Sequence, residues 1–132
     1  MKRCKARERA FILVFESLFS DTNINSLIEL AENVEDVNLN GYAKSLAIGV
    51  VSKRAEIDEK IKLFLRKWKI DRIASVSLAI LEIAFYEILY VDDVDSPVAI
   101  NEAVELAKKY AGDDEPAFVN GVLGNFIRSN NK

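Results

Sequence analysis

Five of the first nine residues are basic: Lys2, Arg3, Lys5, Arg7 and Arg9, opposed only by Glu8. Lysine and arginine gathered at one helix end suit phosphate oxygens, because charge-assisted contacts need no shaped pocket. Arg3 and Arg7 stand four apart, and like charges at that spacing destabilise an isolated helix by about 0.2–0.5 kcal/mol. Compensation from outside the helix is therefore expected. A second candidate is Phe118-Val119-Asn120-Gly121-Val122-Leu123. Readers of single-stranded RNA stack bases on aromatic faces and contact base edges with amides, which Phe118 and Asn120 could supply. The plainer alternative is a core phenylalanine beside a solvated asparagine. Gly121 within a helix costs about 1 kcal/mol relative to alanine, which either close helix packing or close approach of a ligand would explain.

Catalytic chemistry is poorly provided for. The chain has no histidine, which removes the Ser-His-Asp and Cys-His triads and the common general base near neutral pH. Glu82 and Glu87 are five apart and fall on different helix faces, so a carboxylate acid/base pair is not expected. Asp92, Asp93 and Asp95 resemble the start of a calcium loop, but the required glycine and closing glutamate are missing. Cys4 is the single cysteine, which excludes an internal disulfide and a multi-cysteine zinc site and suits a reducing cytoplasm. Asn101 and Glu102 read as residues that satisfy amides at a helix start. Neither a metal nor a cofactor is expected, and the chain does not read as an enzyme.

These residues must be positioned by a chain of 132 residues, 50% hydrophobic and 30% charged, with five glycines and two prolines. That length and composition predict one folded domain over residues 1–132 and exclude a disordered or collagen-like chain. No uncharged apolar run approaches the roughly 20 residues needed to cross a bilayer. The basic start passes directly into a helical pattern and does not read as a signal peptide, so a cytoplasmic location is expected. The formal net charge is −3, yet it is unevenly spread. A second basic stretch runs from Lys53 to Arg72, while residues 21–40 and 82–105 contain acids and no Lys or Arg. An acidic average does not exclude RNA, because phosphate binding depends on the local basic footprint.

Helical periodicity dominates. Residues 3–19 place Ala6, Ala10, Leu13, Val14 and Leu18 on one stripe, with Phe11, Phe15 and Phe19 at strict four-residue spacing. Ser26 followed by Glu29 predicts a capping box opening a short helix to about Val34, and a loop is expected at 35–40. A long pattern from Gly41 to Trp68 should break near Ser52–Glu56, and Ile70–Arg72 reads as a tight connector. Residues 75–91 are apolar on all sides apart from Glu82 and Glu87, which predicts a central helix. Ser96 and Pro97 form a cap and first-position pair for a helix closed by a left-handed Gly112, with Ile100, Ala103, Val104 and Ala107 inward. A last helix is expected from about Pro116 to Arg128. No segment alternates with period two, so the fold class is all-α, a compact helical domain of about six or seven helices.

The order of these blocks resembles a known family. Ala6-Arg7-Glu8 is followed by Trp68-x-x-x-Arg72 and by Ala79-Ile80-Leu81-x-Ile83-Ala84-x-Tyr86-Glu87. Next come Pro97-Val98-Ala99-Ile100-Asn101-Glu102-Ala103-Val104-Glu105-Leu106-Ala107-Lys108-Lys109-Tyr110 and Phe118-Val119-Asn120-Gly121-Val122-Leu123. This series is similar to that of the NusB family of transcription antitermination factors over essentially the whole chain. The resemblance implies two small helical bundles and a non-enzymatic role. It implies binding of boxA-type single-stranded RNA together with NusE, a ribosomal small-subunit protein, in an RNA polymerase antitermination complex that acts notably in ribosomal RNA operons. It also leaves open a homodimer. Carried over by motif, the RNA-binding residues would be Lys2, Arg3, Lys5, Arg7, Phe118 and Asn120, with Phe15 where the family usually has Tyr. Ser77-Leu78 and Glu82 depart from the family's usual Asp-Arg and Arg, at positions expected near the protein-partner surface, where acidic central helices would face a basic ribosomal protein. The alternative is a helical protein-interaction domain, or an RNA-methyltransferase accessory domain without catalysis of its own.

Overall fold

The structure is a computed structural model that describes residues 2–35, 39, 41–66 and 68–130. Among these residues there are seven α-helices and no strand: α1 Arg3–Ser17, α2 Ile24–Glu35, α3 Gly41–Ser52, α4 Arg54–Lys62, α5 Ser75–Tyr90, α6 Ser96–Tyr110 and α7 Glu115–Asn130. A 3-10 turn, Ile70–Arg72, leads into α5. The all-α class is as the periodicity predicts. Most of the loop expected at 35–40 lies outside the described residues.

α5 is apolar around most of its circumference and is buried accordingly from Ser77 through Ile88, with only Leu78 and Tyr86 half-buried in that span. Helices α1, α3, α4, α6 and α7 all pack on it. α1, α2 and α3 pack on one another as one small bundle, while α6 and α7 pack together and each packs on α5. This matches the two bundles that the family resemblance implies. The contact of α7 with α5 is anchored by Phe64, Phe85 and Phe126, with Phe85 and Phe126 stacked at 4.1 Å and nearly parallel. Such ring pairs add about 0.5–1.5 kcal/mol beyond their area.

Three helix ends differ from expectation. α2 is capped by Asn23, whose Oδ1 accepts the Asn25 amide at 2.8 Å, rather than by Ser26, because an Asx side chain three residues earlier already satisfies the first turn. Asp95 occupies the cap position of α6, Ser96 is already helical, and no side-chain cap bond forms there. Gly112 does not adopt a left-handed conformation; the helix ends at Ala111 in an extended conformation. The inward stripe of α6 is Ala99, Ala103, Leu106 and Ala107, with Ile100 and Val104 half-buried. The break at Lys53 between α3 and α4, and the turn at 70–72, fall where the polar interruptions place them.

Gly49 lets α3 approach α5. A Cβ there would overlap the phenol of Tyr86, whose ring is held against Tyr90. Gly49→Ala is expected to destabilise the fold by about 1–3 kcal/mol through overpacking, against a helix-propensity gain of about 1 kcal/mol. Chemical denaturation of the variant measures the balance, and a loss of stability is the expected result.

Candidate nucleic-acid interface

Lys2, Arg3, Cys4 and Lys5 are exposed at the start of α1. No acidic residue occupies that first turn, so the positive end of the helix dipole and the side-chain cations add together. A free helix N-terminus with basic neighbours attracts anions. Arg3 is positioned by two contacts. Its guanidinium lies 4.1 Å from the centre of the Tyr42 ring and donates to Asp93 Oδ1 at 3.2 Å, while its side chain stays 41% exposed.

Arg7 is different. It is only 4% exposed; its Nε donates to both oxygens of Glu87 at 2.9 and 2.8 Å, and Nη1 donates to Glu102 at 3.2 Å. The Tyr42 hydroxyl also donates to Glu87, and burial with this carboxylate pushes the Tyr42 hydroxyl well above its ordinary range. The expectation that Arg7 contacts phosphate is therefore corrected. Its donors are taken by carboxylates inside the protein, and it ties α1 to α5 and α6. Glu102, expected at a helix start, is one of its partners. Nearby, Lys109 and then Tyr110 hold Glu8 below the usual carboxylate range by donating hydrogen bonds to it. This latches α6 to the same turn of α1.

Phe15 sits half-buried in a ladder with Phe11 and Phe19, the Phe15 and Phe19 rings 5.1 Å apart and edge to face. Phe19 at the end of the ladder is 66% exposed. The four-residue spacing read in the sequence therefore forms a continuous aromatic edge along α1. Phe118 lies at the other end of α5. The Ser77 hydroxyl donates to Glu115 at 2.6 Å, which sets the start of α7 beside the start of α5, whereas Arg3 is tied beyond the end of α5. The 16 residues of α5 separate these ends by about 24 Å at 1.5 Å per residue. Phe118 lines a groove with Phe64 and Trp68, but Asn120 does not; it is exposed on a different face of α7. The two candidate patches are thus not one pocket.

The departures at Ser77 and Glu82 are interior rather than at a partner surface, because both side chains are buried. Glu82 accepts from Arg54 at 3.1 and 3.2 Å, and Arg54 also donates to Ser17 Oγ at 2.9 Å. Leu78 is half-buried against the core. Glu82 and Glu87 do lie on different faces, as their spacing requires, but neither gives α5 an acidic outer face. The exposed acids Asp92, Asp93 and Asp95 belong to the turn after it. Nothing in the sequence singles out Tyr42, Arg54 or Trp68 as site residues; a lone aromatic or basic residue gives no sign of its partner until the helices are packed. Among the described residues no group of three or more potential ligands could hold a metal ion, and no helix is long and apolar enough to cross a membrane.

The start of α1 is cationic and Phe19 and Trp68 are exposed rings, and cations with rings are the combination by which RNA-contacting domains hold phosphates and bases. Residues 4–128 match the NusB family, and the chain belongs to that family. It is 40% identical over 133 residues to the transcription antitermination protein NusB of Clostridium novyi, covering 98% of this chain and 100% of that protein. It is 42% identical to the transcription antitermination protein NusB of Oceanobacillus iheyensis, over 96% of this chain and 99% of that one. Its fold is similar to a chain in the crystal structure of antitermination factors NusB and NusE in complex with dsRNA. That match has a TM-score of 0.85 at 26% identity and covers 98% of this chain and 99% of the other.

Proposed function

We propose that this protein is a non-enzymatic transcription antitermination factor that binds boxA-type single-stranded RNA together with NusE. In this reading it acts in the cytoplasm as a scaffold in an RNA polymerase antitermination complex, notably in ribosomal RNA operons, with residues 1–132 serving as one RNA-binding unit. The observation that carries it is the exposed trio Lys2, Arg3 and Lys5 around the uncovered start of α1, in a chain so similar to antitermination proteins along its length. Lys2, Arg3 and Lys5 hold phosphates, Phe15 and Phe118 offer ring faces to bases, and Asn120 offers an amide. Arg7 serves this surface indirectly by fixing the turn that displays it.

Fluorescence anisotropy of a labelled boxA RNA and a scrambled control, with and without NusE, tests the reading. Selective binding strengthened by NusE is expected, and indifference to both sequence and partner would overturn it. Replacing Lys2, Arg3 and Lys5 together with glutamine is expected to reduce the slope of log affinity against log salt by about 0.7 for each phosphate no longer neutralised. An unchanged slope would remove the start of α1 from the interface.

A further inference from the structure

Between residues that follow α4 and the exposed side of α7 lies an open groove of ≈ 600 Å³. Three aromatic side chains, Phe64, Trp68 and Phe118, line it. Trp68 is 53% exposed, an unusual display for a large ring with no covering element. Two arginines, Arg66 and Arg128, stand at the groove, and its lining includes no carboxylate. In a chain of net charge −3, an acid-free groove with two cations is selective for an anion. Among the described residues neither arginine forms an ion pair; Arg128 hydrogen-bonds the neutral amide of Asn125. Arg66 is the one described non-glycine residue with positive φ, at 58°, a conformation that costs energy for a side chain with a Cβ and that tends to occur where function requires it.

Gly121 supplies an independent observation. It lies in the middle of α7, where glycine is unfavourable, yet a Cβ built on it would meet nothing within 4 Å. Packing therefore does not require this glycine. It lines the groove, and its lack of a side chain leaves room there for something the protein itself does not provide.

We propose that this groove is a second single-stranded RNA site, in which unpaired bases stack on Trp68 and Phe118, Arg66 and Arg128 hold the flanking phosphates, and Gly121 keeps the floor open. This rests on the reading of the chain as an RNA-binding protein and extends it from Phe118 to Trp68 and the two arginines of the same groove. Rings bind bases of any identity through their faces, and arginine adds both charge and stacking. A strand held at the start of α1 would run the length of α5 to reach this groove, which makes binding at the two ends cooperative within one RNA.

Trp68 is the only tryptophan in the chain, so its emission reports on the groove directly. Unlabelled single-stranded boxA RNA, titrated into the full chain, is expected to quench Trp68 over the same concentrations that saturate the anisotropy of labelled RNA. Trp68→Ala is expected to weaken binding roughly five- to hundredfold, with Trp68→Phe retaining most of it. Arg66→Gln with Arg128→Gln should lower the salt slope by about 0.7 per phosphate released. Gly121→Leu should weaken binding while its melting temperature stays equal or rises, an outcome that loss of folding does not produce. Binding seen by anisotropy with unchanged Trp68 emission, and with wild-type affinity in Trp68→Ala and Gly121→Leu, would overturn the groove and leave the proposed function intact. Quenching by NusE alone, with none by RNA, would assign the groove to a protein and overturn the proposal. Absence of RNA binding under every condition would overturn the proposed function itself, and the groove with it.

Discussion

Arg7→Ala is expected to lower folding stability by about 3–5 kcal/mol, the cost of leaving a buried carboxylate without its partner. Glu87 is 1% exposed and receives both of its nearest Arg7 contacts from a single guanidinium nitrogen, with Tyr42 as the remaining donor. Small domains have only about 5–15 kcal/mol of net stability, so the change removes a large part of it. Arg7→Lys should recover only part, because a lysine cannot bridge Glu87 and Glu102 with a planar fork. Urea denaturation of Arg7→Ala, Glu87→Ala and the double variant measures the coupling: the double variant should lose less than the two single losses combined. If Arg7→Ala kept wild-type stability and lost only RNA affinity, Arg7 would be a surface contact after all. An Arg3→Gln variant provides the contrast, since Arg3 pairs with Asp93 at the surface and such exposed pairs contribute about 0–1 kcal/mol.

The second large effect is a dependence on pH. Glu82 is fully buried, and burial, reinforced by a hydrogen bond with Asp58 and only partly opposed by Arg54, pushes its carboxyl up to about 8. In the unfolded chain the group titrates near 4.5. Between these values the folded state holds a proton that the unfolded state has released. The stabilisation is therefore complete below about pH 4.5 and is lost as pH rises through about 8, a total on the order of 5 kcal/mol. Denaturation midpoints at pH 5, 7 and 9 should fall steadily for the wild type. Glu82→Gln, which keeps the shape and supplies a permanent N–H donor for Asp58, should flatten the profile. A wild-type midpoint that rose from pH 5 to 9 would reverse the sign and place an ionised Glu82 beside Arg54. Because Arg54 also grips Ser17 on α1, the loosening would be felt where α1, α4 and α5 meet.

Much of this architecture is readable along the chain. A helix apolar on every side can only be central, and Ser75–Tyr90 is. The polar interruption near Lys53 and the Phe11, Phe15 and Phe19 spacing each encode a feature a few residues long, and local rules suffice for those. Helix caps are less legible, because Asn23 and Ser26 both suit an N-cap and one competes with the other for the same amides. Arg7 is the main site residue whose role the sequence obscures. It belongs by spacing to the turn that carries Ala6, Ala10 and Phe11 inward, but its charge groups it with Lys2, Arg3 and Lys5.

Its destination depended on Glu87, eighty residues away, and on Glu102, farther still. The sequence by itself determined the helices, the central position of α5 and the supply of cations, rings and carboxylates, because helical periodicity and charge act over a few residues. Only the tertiary structure decided which charges meet inside and which face solvent, and that Trp68 and Phe118 share a groove while Arg3 stands at the far end of α5. The physical reason is desolvation. A charge enters the interior only where an opposite charge from another helix meets it, and that pairing exists only once the helices are packed.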